Sequence, residues 1–204
     1  MRSLSEIETT VKRASKAAGY SWGVSEETAK SIRLLELFSL PGVKHLNEYF
    51  NEKNQNKFEN LKLISEKNSS LKHPYCPIVL GVSFLDQINI LENLKKIEFK
   101  NVAYPVIFLS FISRSSEIIG KKIYVKIDEK KILLNLNVNI NSSFIDKEFP
   151  KLANNIEINL LENKDNFTDD EWRNLYKFFQ SSSVKLSLFS SKLTSIVLAI
   201  FGNS

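Results

Sequence analysis

The sequence predicts an α+β fold: a mainly antiparallel sheet with an N-terminal helical pair and a C-terminal helix. Three observations predict it. Residues 1–65 show capped helical periodicity. The stretch beyond residue 120 alternates apolar and polar residues. Thr168-Asp169-Asp170-Glu171 then opens a late helix as a capping box. Helices first, strands next and a helix last favour α+β over a doubly wound sheet. The whole chain, 1–204, reads as one domain, helical over about 1–65 and sheet-forming over about 75–204.

The first helix opens at Ser3-Leu4-Ser5-Glu6, where a serine precedes a glutamate by three residues. Ile7, Val11, Ala14 and Ala18 recur at helical spacing, and Gly19 stands where a left-handed C-terminal glycine belongs. The second helix is expected to start at Ser25, with Glu26 and Glu27 in its positive first turn. Its apolar face is Ala29, Ile32, Leu35 or Leu34, and Phe38, and Pro41-Gly42 stops it. Between the two lies the corner Gly19-Tyr20-Ser21-Trp22-Gly23. One reading has Trp22 plugging the wedge between the helices. The other makes Tyr20 and Trp22 a stacking surface in a ligand cleft. A short third helix is expected over 43–50, followed by a loop over 51–60, another short element over 61–65 and a turn or linker over 66–70.

Two continuous apolar runs, 78–83 and 105–111, predict buried strands. The clearest strand is Ile123, Val125 and Ile127 alternating with lysine and tyrosine. After a hairpin loop over 128–131, Leu134, Leu136, Val138 and Ile140 alternate with asparagine on the expected return strand. Ile156, Ile158 and Leu160 repeat the pattern.

Composition narrows the function classes. One cysteine and two distant histidines offer no disulfide framework and no metal-ligand spacing. The net charge of +5 comes from lysines scattered among glutamates and asparagines. It lacks the dense basic stripe of a nucleic-acid reader. The longest clean apolar run, 196–201, is far short of the roughly 20 residues a membrane span needs. No secretory signal heads the chain, so a soluble cytoplasmic protein is expected. No GxGxxG, P-loop or GxSxG occurs, so no cofactor is expected.

Five residues stand out as candidate site residues: Tyr20 and Trp22 at the corner, Cys76, Asp86 and Arg114. Cys76 is either a nucleophile or a small buried group, with His73 three residues upstream. Asp86 and Arg114 each follow a predicted buried strand. An aspartate there supplies acid–base chemistry or simply a turn. An arginine there clamps an anion or pairs with an internal acid such as Glu117 or Asp86.

The corner, Glu26-Glu27, Leu40-Pro41-Gly42, Cys76-Pro77-Ile78 and the segment from Pro105 to Arg114 together resemble an uncharacterised bacterial family of similar length. That family carries a Gly-x-Ser-Trp-Gly corner and a Cys-Pro-Ile segment. The resemblance implies a shared fold and no known activity. It fails at the C-terminus, where this chain has Ser183-Val184-Lys185-Leu186 and ends Gly202-Asn203-Ser204.

Two functions follow as expectations. One is a small-molecule enzyme or binding protein, with Arg114 holding an anionic metabolite and Cys76 or Asp86 doing any chemistry. The other is a non-catalytic interaction or assembly protein, homo-oligomeric or bound to a protein partner. The 14 phenylalanines and the apolar 196–201 tail motivate it.

Overall fold

The computed structural model describes residues 2–135, 140–142, 148–162 and 164–179. The chain forms two compact units, Met1–Asn163 and Lys164–Ser204.

In the first unit, α1 (Leu4–Ala17) is capped by Ser3, whose hydroxyl accepts from Glu6 N. Gly19 follows at φ 93°, in the left-handed region, as expected of a helix-terminating glycine. Helix α2 (Trp22–Leu37) starts earlier than expected, its cap four residues ahead of Ser25. Its cap is Ser21, whose hydroxyl accepts from Val24 N, and Ser25 is buried inside the helix, bonding back to Ser21 O. Glu26 and Glu27 therefore sit beyond the first turn. Helix α3 (Gly42–Lys53) runs longer than expected at both ends. A short strand, β1 (Lys67–Ser69), forms in the stretch read as linker.

Both continuous apolar runs are helices, not strands. Helix α4 (Pro77–Leu91) contains 78–83, and α5 (Pro105–Ile119) contains 105–111. Every residue from Pro105 to Ser113 is buried. A helix enclosed on all sides has no polar face, so its 3.6-residue period disappears from the sequence. Proline begins each helix, where its missing N–H costs nothing. Two of the buried serines of α5 bond within the helix, Ser110 to Ile107 O and Ser115 to Phe111 O; Ser116 bonds to Lys121 O, and the Ser113 hydroxyl has no partner.

The sheet order is β1-β2-β6-β3-β4-β5, from β2 (Lys96–Ala103), β3 (Lys122–Ile127), β4 (Lys130–Leu134), β5 (Ile140–Ser142) and β6 (Leu152–Leu161). Among the described strands only β1 and β2 are parallel neighbours; the other adjacent pairs are antiparallel. The α+β class therefore holds, although α4 and α5 interleave with the strands. The hairpin after β3 is a two-residue turn, with Asp128 bonded both ways to Asn155 of β6. The return strand is interrupted: Leu134 pairs with Ile140, so the chain reverses between them. Leu136 and Val138 lie outside the described residues.

One face of the sheet buries Ile97, Phe99, Ile123, Val125, Ile156 and Ile158. The outer face carries Lys96 paired to Glu98 and Glu157. Phe84 of α4, Phe99 of β2 and Phe108 of α5 meet edge to face at centroid distances of 5.3–6.4 Å, joining helix layer to sheet. Each such ring contributes roughly 1.5–3 kcal/mol by leaving water.

In the second unit, α6 spans 169–179. Its capping box forms as expected. Glu171 N donates to Thr168 Oγ1 at 3.2 Å, and Thr168 N donates to Glu171 Oε2 at 2.7 Å. The tail 180–204, including the apolar 196–201 run, lies outside the described residues.

Candidate functional site

Helix α3 directs His45, Glu48, Tyr49 and Glu52 along one stripe, since i, i+3, i+4 and i+7 share a face. At its buried middle, the Tyr49 hydroxyl meets the Tyr20 hydroxyl at 2.8 Å and Cys76 Sγ at 3.0 Å. Tyr20 lies 3.6 Å from the same sulfur. Cys76 also caps α4, accepting from Val79 N at 3.4 Å. Two of the five expected site residues, Tyr20 and Cys76, therefore come together. They do so inside the core, Cys76 with 2% of its surface exposed. Burial pushes both phenols far above the ordinary tyrosine range, and Cys76 adds to the effect. Neither histidine is among the hydrogen-bond partners of Cys76.

The other three are dispersed. Trp22 does not plug the corner: it is 58% exposed, with Lys16 Nζ 5.4 Å from its ring centre. The corner turns around Tyr20, whose ring packs on Phe50 and carries Lys53 Nζ at 4.2 Å. Asp86 stands exposed on α4 rather than at a strand end. Arg114, on α5 rather than after a strand, binds Glu27 Oε2 at 2.5 Å, Ser31 Oγ at 3.2 Å and Glu27 O at 3.3 Å. Its guanidinium holds α5 to α2. Burial raises Glu27, but Lys30 and Arg114 outweigh it and leave the carboxyl below its ordinary range.

The stripe on α3 continues to a groove of about 490 Å³ where α3 ends. Glu52, Lys57, Phe58, His73, Pro74 and Lys151 are on its walls. Lys151 bridges Glu52 at 3.2 Å and Glu48 at 3.4 Å. Beneath the groove, Tyr104 adopts φ 45°, ψ 60°, a left-handed conformation that is costly for an aromatic residue ahead of proline. It is held there by its backbone N–H to Lys151 O at 2.7 Å. Its ring packs edge-on to Tyr49 at 5.7 Å and to His45 at 5.8 Å. The buried Tyr104 hydroxyl leans toward Glu52 without closing a hydrogen bond. Its dipole, followed by Lys151, keeps Glu52 below the ordinary carboxylate range. His45 Nδ1 is also buried without a partner, and burial lowers its pKa.

Sequence reasoning missed Tyr49, Glu52, Tyr104 and Lys151. The helical stripe on α3 was legible, as was Tyr104-Pro105 as a restricted dipeptide. The meeting of α3 with the start of β6, about a hundred residues later, was not.

Among the described residues, no three His, Cys, Asp or Glu side chains are grouped to hold a metal ion. No described helix is long and apolar enough to cross a membrane. No curated protein and no solved structure matches the chain. Residues 2–75, which span α1, α2, α3 and β1 and stop just before Cys76, match the family model of a protein of unknown function, DUF3726.

Proposed function

We propose that this chain is a non-catalytic interaction protein that joins a second copy of itself through α6. The observation that supports this reading is the apolar side of that helix. Trp172, Leu175, Tyr176, Phe178 and Phe179 are each 52–73% exposed and border one hollow of about 570 Å³. Trp172, Leu175, Tyr176 and Phe179 share one helical face. Aromatic residues concentrated on one exposed face are the usual composition of an interface centre.

The charge pattern favours a second copy as the occupant. Asp169, Asp170 and Glu171 occupy the first turn, and Arg173 and Lys177 follow. Two such helices laid antiparallel set acid against base at both ends and oppose their dipoles. That arrangement is self-complementary, as a two-fold interface requires. By contrast, Arg114 must release Glu27 before it can clamp a ligand anion, which weakens the small-molecule reading centred on that residue.

The test is light scattering with size exclusion across a dilution series of the full chain. The expected species is a dimer. Replacing Trp172 and Leu175 with serine is expected to give a monomer whose far-ultraviolet circular dichroism and melting are otherwise preserved. A wild-type chain that stays monomeric throughout, or a variant that stays dimeric, overturns the reading.

A further inference from the structure

We propose that the groove at the end of α3 binds a small organic monocarboxylate with an apolar body, its carboxylate held by Lys57 and His73. The site has the size for it, since pockets for small molecules run from roughly 300 to 1,000 Å³. Its walls divide by chemistry. Phe58, Pro74 and Leu152 offer apolar surface, and Lys57, His73 and Gln55 offer donors. Phe58 is anchored by Tyr49, at 5.0 Å between ring centres, so the apolar wall is fixed before any ligand arrives.

The cations divide as well. Lys151 is bound to Glu48 and Glu52, whereas among the described residues Lys57 has no ion pair and the His73 ring no hydrogen bond. One lysine and one imidazole suit a single carboxylate. A phosphate dianion is better served by an arginine fork or a helix N-terminus. The groove walls carry no arginine, and no residue of the first turn of α5 lines them.

Tyr104 supplies the second observation. A buried hydroxyl without a partner is costly, and a left-handed aromatic residue adds strain; such strain concentrates at functional positions. Here the hydroxyl faces Glu52. Glu52 in turn holds Lys151, which leaves the ligand carboxylate to Lys57 and His73. Tyr104 is thus a positioning residue, acting through Glu52 rather than as a contact of the ligand.

The experiment is calorimetric titration of the full chain with phenylacetate and, separately, with phenylacetamide, which keeps the ring and loses the charge. Phenylacetate is expected to bind and phenylacetamide is not. Lys57→Ala and His73→Gln are each expected to weaken binding roughly tenfold, at unchanged melting temperature because both side chains are exposed. Tyr104→Phe separates positioning from structure. It should weaken binding several-fold while the melting temperature holds or rises, since it removes an unsatisfied hydroxyl. No heat with phenylacetate, equal binding of phenylacetamide, or undiminished binding in Lys57→Ala and His73→Gln each overturns the proposal.

Discussion

Gly81 of α4 lies directly under the ring of Phe111 of α5: a Cβ at Gly81 would stand 2.3 Å from Phe111 Cδ2 and 2.4 Å from Cγ. Those are the near atoms of a fully buried ring, so a rotamer change cannot clear them. The two helices cross as closely as they do because one of them has no side chain at that point. Gly81→Ala is therefore expected to destabilise the fold by about 3 kcal/mol through overpacking. Phe111→Leu in the same chain is expected to recover part of the loss. Urea denaturation of the two single variants and the double variant reads the coupling. Independent, additive losses would show that the contact is not shared.

Arg114 and Glu27 form the corresponding link between α5 and α2, with 20% and 29% of their side chains exposed. Arg114→Ala is expected to cost about 2 kcal/mol, the range for hydrogen bonds to charged groups. Glu27→Gln should cost less, and a double-mutant cycle should show coupling. Because folding lowers the Glu27 pKa, its stabilisation is complete above the unfolded value near 4.5. It is lost as pH falls through the folded value. In Arg114→Ala this acid-dependent part should shrink. An unchanged melting temperature in Arg114→Ala would return the residue to the role of a free anion clamp.

His45 should make the fold acid-sensitive at a milder pH. Burial lowers its pKa below 6.5, and nearby Lys44 and Lys151 lower it further, against a raising effect from Glu48. The unfolded chain therefore takes up a proton that the folded chain resists. Stability is expected to decline as pH falls below about 6.5. In His45→Phe, which keeps a ring against Tyr104, stability between about pH 7 and 5 should be flatter. Equal slopes in the two proteins would assign the acid response elsewhere.

Cys76 is expected to resist iodoacetamide in the folded protein and to react only on unfolding, because its sulfur is enclosed by Tyr20, Tyr49 and the first turn of α4. Cys76→Ser preserves a capping side chain. Cys76→Ala removes it and leaves the two phenols with one partner fewer, at an expected cost of about 1–2 kcal/mol. Rapid labelling of native protein would revive the nucleophile reading.

The half-exposed face of the sheet was the most legible part of the sequence. Ile123, Val125 and Ile127 face a core while their neighbours face water, and that boundary is written into the alternation. The capping boxes at Ser3 and Thr168 were legible for a similar reason, since each is settled within four residues. Helices α4 and α5 were not. In α5 the run of 105–111 is enclosed on every side, so its apolar residues no longer mark a face, and in α4 even the half-buried positions Val79 and Val82 are apolar; by pattern alone each run is indistinguishable from a buried strand. Pro77 and Pro105 at the first helical positions, and the 15-residue lengths, were the available signals. Misplacing those helices also misplaced the site. Arg114 and Asp86 drew attention as residues at strand ends, but one grips α2 and the other faces outward. The Tyr20–Tyr49–Cys76 contact joins positions 29 and 27 residues apart, and no local rule connects them.

Among the described residues the last strand to be made, β6, is also the one that fills the middle of the sheet. A chain emerging from the ribosome completes β2 and β3 with a strand-wide gap between them, each presenting unpaired backbone groups along that gap. At ordinary translation speeds the gap stays open for roughly seconds, until residues 152–161 appear. The segment 2–75 contributes only an edge strand to this sheet. A ribosome that stalls or a message that ends before residue 152 releases a polypeptide whose sheet cannot close. Such a product is a natural substrate for chaperones and proteases, and loss-of-function truncations should therefore be as severe near residue 150 as near residue 20.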